Sequence, residues 1–171
     1  MFMVKPVRGV FLAVALLLAA CGEGEGKGIA KGYESWLGRD VSGLVVETLD
    51  GDVQPLRDVL MEGKPVVLNV WATWCPPCLK EMPTLDALGK QGHYTVVAIA
   101  TDAEAETVKE FLKRQTWGAG VRVWFDPHGK ITREALGAGA IPVTYVLDKD
   151  LKVVDVQAGA HDWVERLGIR N

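Results

Sequence analysis

The feature that most constrains the fold is a continuous, largely apolar run at residues 66–72, which leads directly to Cys75 and Cys78. A short apolar run without polar alternation is typical of a strand that is buried on both faces. Strands of this kind belong to sheets that helices cover on both sides, so the run places the chain in the α/β class. The two cysteines then lie where this strand gives way to a helix.

The patterns on either side of this strand predict the rest of the sheet. Alternation at 44–49, the Asp50-Gly51 turn and a returning strand at 53–56 predict an N-terminal β-hairpin. Residues 101–104 fit a capping box that would begin a helix, and Pro83 should kink the helix in which it lies. Further strands are predicted at 94–100, 121–125, 143–148 and 152–157, and helices at 58–62, 79–90, 131–136 and 161–168. This order predicts a mixed central sheet with helices on both faces.

Residues 1–20 have the pattern of a secretory leader, with a basic segment ahead of an apolar run at 10–20. The run is too short to span a membrane comfortably. Its end, Leu-Ala-Ala-Cys at 18–21, looks like a bacterial lipobox. We therefore expect residues 1–20 to be a lipoprotein signal peptide and Cys21 to carry the lipid that anchors the protein to a membrane. An ordinary leader, or an uncleaved anchor, is the alternative.

The remaining chain divides into a tether and one domain. Residues 21–38 are rich in glycine, glutamate and lysine, as in a flexible linker, and we expect a folded domain at 39–171. A formal net charge of −3, with no basic block after the leader, leaves no electrostatic footprint for nucleic acid. We expect a monomer in the bacterial cell envelope, lipid-anchored and facing the periplasm or the outer side of the cytoplasmic membrane.

Cys75 and Cys78 are separated by two residues at a strand-to-helix junction, the setting in which such a pair indicates redox chemistry. Free amides and the helix dipole favour an anion near a helix N-terminus, so Cys75 is the expected nucleophile. Cys78 lies one turn further and can attack a mixed disulfide formed at Cys75. An inert disulfide or half of a zinc site is the alternative, but the sequence has no second C-x-x-C and no H-x-x-x-H. We expect no metal and no cofactor other than the redox-active disulfide.

Residues 67–83, with Leu-Asn-Val-Trp-Ala-Thr-Trp-Cys-Pro-Pro-Cys-Leu-Lys-Glu-Met-Pro at their heart, resemble the thioredoxin superfamily. The segment is most similar to the TlpA/ResA/CcmG branch, or DsbE type, of periplasmic thiol-disulfide oxidoreductases, several of which serve cytochrome c maturation. The resemblance extends from about Gly43 to Gly159, and Gly-Ala-Ile-Pro-Val-Thr-Tyr at 139–145 matches the family's cis-proline loop. It implies a thioredoxin-like fold and thiol-disulfide exchange outside the cytoplasm.

The resemblance also implies a surface for substrates beside the dithiol. In the family the loop that contains Pro142 faces the dithiol, its proline follows a cis peptide bond, and the backbone of Ile141 pairs with the substrate chain. Trp74, which we expect to be exposed, lies with Pro76 and Pro77 on the same expected substrate-binding surface. An ordinary trans proline that introduces a strand is the alternative for Pro142.

Two positions bear on proton transfer. Asn69 stands where cytoplasmic thioredoxins carry a buried aspartate that manages protons for the second cysteine, and an amide cannot titrate. Glu81, three residues after Cys78, matches a glutamate that the TlpA-like branch uses near the dithiol. Partial burial would raise the pKa of this carboxyl and let it exchange a proton with Cys78. A solvent-exposed helix glutamate is the alternative.

The expected function is the reduction of disulfides in other extracytoplasmic proteins, with apocytochrome c among the clients and a membrane dithiol carrier as electron donor. A peroxidase of the peroxiredoxin type needs a threonine where this chain has Ala72. The cysteine spacing and Pro142 argue against a copper-handling module. A disulfide donor or isomerase, and an interaction domain that has lost catalysis, are further alternatives.

The two prolines between the cysteines favour a reductant. Proline has no amide N–H, so Pro76 and Pro77 remove two donors that would otherwise stabilise the thiolate of Cys75. The amide of Cys78 is the nearest that is left. A less stabilised thiolate means a less stabilised reduced form, and we therefore expect a potential of about −230 to −270 mV.

Overall fold

The computed structural model describes residues 29–59 and 63–168, which are built on one mixed sheet of seven strands. The strands are β1 (Val45–Thr48), β2 (Val53–Pro55), β3 (Val66–Trp71), β4 (Thr95–Ala100), β5 (Val121–Phe125), β6 (Val143–Leu147) and β7 (Val153–Ala158). They lie side by side in the order β2-β1-β5-β4-β3-β6-β7. Strand β3 pairs in parallel with β4 and antiparallel with β6, so the strand that leads to the cysteines lies inside the sheet.

Helices cover both faces of this sheet. They are α1 (Leu56–Val59), α2 (Pro76–Lys90), α3 (Ala105–Leu112), α4 (Lys130–Leu136) and α5 (Trp163–Leu167), with short 3-10 turns at Glu34–Trp36 and Pro127–Gly129. Helices α2, α3 and α5 contribute side chains to the apolar cluster on one face, and α4 contributes to the cluster on the other. The predicted α/β fold, with its mixed sheet, its helices on both faces and its N-terminal hairpin β1–β2, is confirmed.

The side chains of β3 alternate between the two apolar clusters. Val66, Leu68 and Val70 lie in one cluster, and Val67 and Trp71 lie in the other. Every residue of the strand is buried, as the absence of polar alternation predicted. A rigid strand therefore ends just before the cysteines and fixes the point from which α2 begins.

The segment at residues 29–38 corrects the predicted extent of the tether. The amide of Ala30 donates to the carbonyl of Val156 at 2.8 Å, and the rings of Tyr33 and Trp36 meet the ring of Tyr145 edge-on at 6.1 and 6.3 Å. These aromatic rings bury apolar area against the sheet, which the glycine-rich composition just before them concealed. The rest of the predicted tether, and the leader with Cys21, lie outside the described residues.

The predicted capping box at residues 101–104 is wrong. Helix α3 begins at Ala105, and no side chain caps it. Thr101 instead donates its hydroxyl to the carbonyl of Trp71 at 3.0 Å, and the carboxylate of Asp102 accepts from the amide of Thr73 at 3.1 Å. Both polar side chains tie the end of β4 to the loop that carries the cysteines, a contact that a local pattern does not reveal.

Two helix boundaries also differ from the predictions. Helix α2 begins at Pro76 rather than at residue 79, because a proline in the first turn loses no hydrogen bond, and it continues through Pro83. The closing helix α5 is short, as expected, but its first residue, Trp163, is fully buried. Within 29–59 and 63–168, no helix has the length and apolar character needed to cross a membrane.

Candidate active site

A disulfide joins Cys75 and Cys78 at the N-terminus of α2. Cys75 occupies the N-cap position, and its Sγ accepts a hydrogen bond from the amide of Cys78 at 3.3 Å. Cys75 is 4% exposed and Cys78 is 0% exposed, so both cysteines are buried and only Cys75 retains any contact with solvent.

Hydrogen bonds to Asp102, which follows β4, fix the loop before the cysteines. Asp102, which is buried, accepts hydrogen bonds from both the amide and the hydroxyl of Thr73. The amide of Cys75 in turn donates to the carbonyl of Ala72 at 3.2 Å. These contacts fix the backbone on both sides of Trp74. No sequence pattern marks Asp102 as a residue of the site, because its partner lies 29 residues away along the chain.

The peptide bond between Ile141 and Pro142 is cis, as the family resemblance implied. Pro142 is buried, and its carbonyl accepts from the amide of Gly159 at 2.9 Å. Ile141 packs against the apolar cluster that contains both cysteines. The fold thus brings the chain near residue 142 to the dithiol, although the two are more than 60 residues apart in the sequence.

A hollow of about 490 Å³ lies next to Trp74, the residue before Cys75. Trp74 and Ile141 both line it, and Trp74 is 68% exposed, as predicted. Pro76 and Pro77 are exposed next to the disulfide but do not line the hollow. Two of the five residues predicted to bind substrate therefore border this hollow, while Pro142 is buried.

Glu81 is 1% exposed and lies one turn beyond Cys78 on α2, so the alternative of a solvent-exposed glutamate is wrong. Its Oε1 accepts from Nδ2 of Asn69 at 2.8 Å. Its Oε2 accepts from the amide of His161 at 3.1 Å and from the indole Nε1 of Trp163 at 2.9 Å. Burial raises the pKa of Glu81 above its ordinary value, and the three donors oppose that effect without cancelling it.

Asn69 connects Glu81 to β6. Its Nδ2 also donates to the hydroxyl of Thr144 at 2.8 Å, while its Oδ1 has no partner within the described residues. Rotation of this amide by half a turn would exchange the two atoms, so that the oxygen could accept from a protonated Glu81 and from Thr144. Asn69 cannot titrate, but it can accommodate both protonation states of its neighbour.

The histidines divide into two groups. His93 and His128 are exposed, as expected of surface residues. His161 is half-buried, and its ring lies against that of Trp163 with 5.7 Å between the ring centroids. In the part of the chain that the structure describes, no group of three or more His, Cys, Asp or Glu side chains is arranged to hold a metal ion.

The raised pKa of Glu81 predicts a pH dependence of stability. The protonated carboxyl favours the folded state, so its contribution is complete below the unfolded-state pKa and is lost as the pH rises through the folded-state pKa. The free energy of unfolding of the wild type should therefore fall relative to that of Glu81→Gln as the pH rises above about 4.3, by about 1.4 kcal/mol for each unit between the two pKa values.

Urea unfolding of the oxidised proteins between about pH 4 and pH 8 measures this difference. The matched control is Glu134→Gln, which makes the same change at an exposed position on α4. Its stability relative to the wild type should vary far less with pH. A constant difference between Glu81→Gln and the wild type over the whole range would contradict the prediction.

Residues 40–167 match the family described as Redoxin. The chain is 35% identical over 122 residues to the thiol-disulfide oxidoreductase ResA of Bacillus thuringiensis (strain Al Hakam), covering 70% of this chain and 68% of that protein. It is 34% identical over 142 residues to the thiol:disulfide interchange protein DsbE of Escherichia coli (strain K12), covering 81% and 75%. The crystal structure of an exposed lipoprotein thioredoxin from Streptococcus pneumoniae superposes with a TM-score of 0.58 at 27% identity, covering 68% and 89%. The chain belongs to the Redoxin family and is a thiol-disulfide oxidoreductase of the ResA/DsbE type.

Proposed function

We propose that this protein reduces disulfides in other proteins of the bacterial cell envelope, with Cys75 as the attacking thiol and Cys78 as the resolving thiol. The observation that carries the proposal is the asymmetry of the pair at the start of α2. Cys75 is 4% exposed and its sulfur accepts a hydrogen bond from the amide of Cys78, whereas Cys78 is fully buried. A buried second sulfur can attack only a partner that is already bound to the first.

The reaction has two exchange steps. The thiolate of Cys75 attacks one sulfur of a client disulfide, and the other client sulfur leaves as a thiolate. The thiolate of Cys78 then attacks Sγ of Cys75 in the mixed disulfide, and the second client sulfur leaves. The client gains two electrons, and the Cys75–Cys78 disulfide forms. A membrane dithiol carrier is the proposed source of the electrons that restore the reduced pair.

The client would bind across the hollow next to Trp74. The last residue pair of the β3–β6 ladder is Val70 with Val143, so the backbone of Ile141 lies beyond the ladder and is available to an extended client segment. Trp74 offers an exposed aromatic surface on the other side of the same hollow. Backbone pairing and an apolar contact suit many protein sequences, which is the property that a reductase of several clients needs.

Glu81 is the proposed proton acceptor for Cys78. The two residues are one helical turn apart, and both are buried on the same face of α2. Attack by Cys78 requires its thiolate, and in an apolar environment a thiol ionises only when a base takes the proton. A carboxyl whose pKa burial raises is a better acceptor near neutral pH than an exposed glutamate.

Cys75→Ala should lose all reductase activity, whereas Cys78→Ser should accumulate mixed disulfides because the resolving thiol is missing. Turbidity of reduced insulin measures the activity, and non-reducing electrophoresis followed by identification of the adducts measures the trapping. The resemblance of residues 67–83 to a branch that serves cytochrome c maturation makes apocytochrome c the first client to test. Adducts that form through Cys78 in the Cys75→Ala protein would reverse the assignment of the two thiols.

The amides around Cys75 support a reductant rather than a disulfide donor. Pro76 and Pro77 have no N–H, and the amide of Leu79 donates to the carbonyl of Cys75 at 3.1 Å. Of these first amides of α2, that of Cys78 alone donates to the sulfur. Fewer donors to the thiolate mean a less stabilised reduced form, and that lowers the potential.

Equilibration with glutathione or thioredoxin redox pairs should give a potential of about −230 to −270 mV. Replacing Pro76 by alanine restores one amide at the N-terminus of α2, so that variant should have a higher potential than the wild type. A wild-type potential above about −180 mV would instead identify a disulfide donor or an isomerase.

We also propose that a lipid on Cys21 anchors the protein. The support is the lipobox-like end of the leader and the likeness to a protein described as an exposed lipoprotein thioredoxin. Labelled palmitate should enter the wild-type protein, and Cys21→Ser should lose both the label and the membrane fraction, because stable anchoring requires the acyl chains. Retention of the label in Cys21→Ser would show that lipidation lies elsewhere.

A further inference from the structure

The chain after β7 returns to α2 and closes over Glu81. Trp163, the first residue of α5, is fully buried in the apolar cluster that also contains Cys75, Cys78 and Met82. Its indole Nε1 donates to Oε2 of Glu81 at 2.9 Å. The residue therefore contacts the proposed proton acceptor directly, and nothing in the sequence pattern pointed to it.

The contact with Glu81 is not the only one that starts and attaches α5. The side chain of Asp162 caps the helix by accepting from the amide of Glu165 at 2.9 Å. The hydroxyl of Thr84 joins the segment to α2, since it accepts from the amide of Trp163 at 3.2 Å. The indole N–H is therefore a separate donor, and it donates to the Glu81 carboxylate rather than to a backbone carbonyl.

The three donors on Glu81 differ in what they can do. Asn69 carries both an N–H₂ and an oxygen, so a half-turn of its amide suits either the ionised or the protonated carboxyl. The indole of Trp163 and the amide of His161 can only donate. Both act on Oε2, at 2.9 and 3.1 Å, and both favour the ionised state. These two groups, and not Asn69, therefore discriminate between the protonation states.

Few other charges face this carboxyl. Lys80, His161 and Asp162 line with Glu81 a hollow of about 290 Å³ between α2 and the segment before α5. The strands packed against it contribute Asn69 and Thr144, which do not titrate. On its own helix, Cys78 lies one turn before Glu81 and is joined to Cys75 by the disulfide. The indole N–H is thus the one side-chain donor on Oε2 among the described residues.

We infer that Trp163 is a positioning residue, whose indole N–H holds the carboxyl of Glu81 and sets the pH range over which it exchanges a proton with Cys78. The exchange with Cys78 rests on the proposed function, whereas the effect on Glu81 itself does not. Loss of the N–H removes a donor to the ionised carboxylate while burial continues to oppose that state. The midpoint for ionisation of Glu81 should then move to higher pH.

The test compares Trp163→Phe with Trp71→Phe. Both tryptophans are fully buried in the same apolar cluster, but Nε1 of Trp71 has no partner within the described residues. The two variants therefore lose similar ring volume, and only the first loses a hydrogen bond to Glu81. If Trp163→Phe does not fold, 3-benzothienylalanine at position 163 keeps the bicyclic shape and removes the N–H.

Two measurements separate the inference from the proposed function. Carbon NMR of the oxidised protein follows the Glu81 carboxyl directly, without any need for activity. The pH dependence of the release of a mixed disulfide by Cys78 follows the chemistry. In the protein without the Trp163 N–H, the titration midpoint of Glu81 and the midpoint of the pH profile of mixed-disulfide release should both move to higher pH. In Trp71→Phe, both midpoints should stay in place.

Each other outcome has a definite meaning. An unchanged midpoint for Glu81, or an equal shift in Trp71→Phe, overturns the inference about Trp163. A shifted midpoint with an unchanged rate profile supports the effect of the Trp163 hydrogen bond on the ionisation of Glu81. It overturns the proton exchange between Glu81 and Cys78. A loss of stability alone moves neither midpoint, so a merely structural role of Trp163 would leave both curves in place.

Discussion

A buried carboxylate ties together three parts of the chain. Glu81 projects from α2 and accepts a hydrogen bond from Asn69 of β3. It also accepts hydrogen bonds from His161 and Trp163 in the segment beyond β7. An isolated carboxylate in such a position would be costly, and the three donors make its burial tolerable. The same contacts attach the end of the described chain to the helix that carries the cysteines. One buried polar cluster therefore joins α2, β3 and the end of the described chain.

The second constraint is the rigid junction between β3 and α2. The strand is buried along its whole length, and Asp102 holds the loop that follows it. Cys75 is therefore held in place at the start of α2. Prolines in the first turn preserve the start of the helix and have no amide that could donate to that sulfur. One pair of residues thus serves the helix and limits the hydrogen bonds to the sulfur.

Local patterns in the sequence predicted the features that depend on neighbouring residues. The apolar run of β3 and the cysteine spacing each have a signature within a few positions, whereas the cis bond before Pro142 was expected from the family resemblance. The contacts of Asp102, His161 and Trp163 join residues between 29 and 82 positions apart, so no periodicity reveals them. The buried state of Glu81 needed the closing segment to be in place, which is why an exposed glutamate could not be dismissed from the sequence.

The same reasoning explains the corrected tether. Glycine and charged residues dominate the composition there, yet Tyr33 and Trp36 find an apolar surface on β6 that exists only in the folded chain. Composition indicates whether an isolated segment is flexible, and tertiary contacts decide whether it packs on the folded domain. The capping-box pattern at residues 101–104 failed for a related reason, since its polar side chains serve the cysteine loop instead.

The packing of residues 29–38 on the sheet limits how far the domain could stand from a membrane. If Cys21 carries a lipid, only residues 22–28 separate that lipid from the first contact of the domain, at Ile29. A chain of that length spans at most about 25 Å when fully extended. The point where the domain begins would therefore stay within about that distance of the lipid surface. Such a short tether would favour electron exchange with a carrier in the same membrane over reaction with distant soluble proteins.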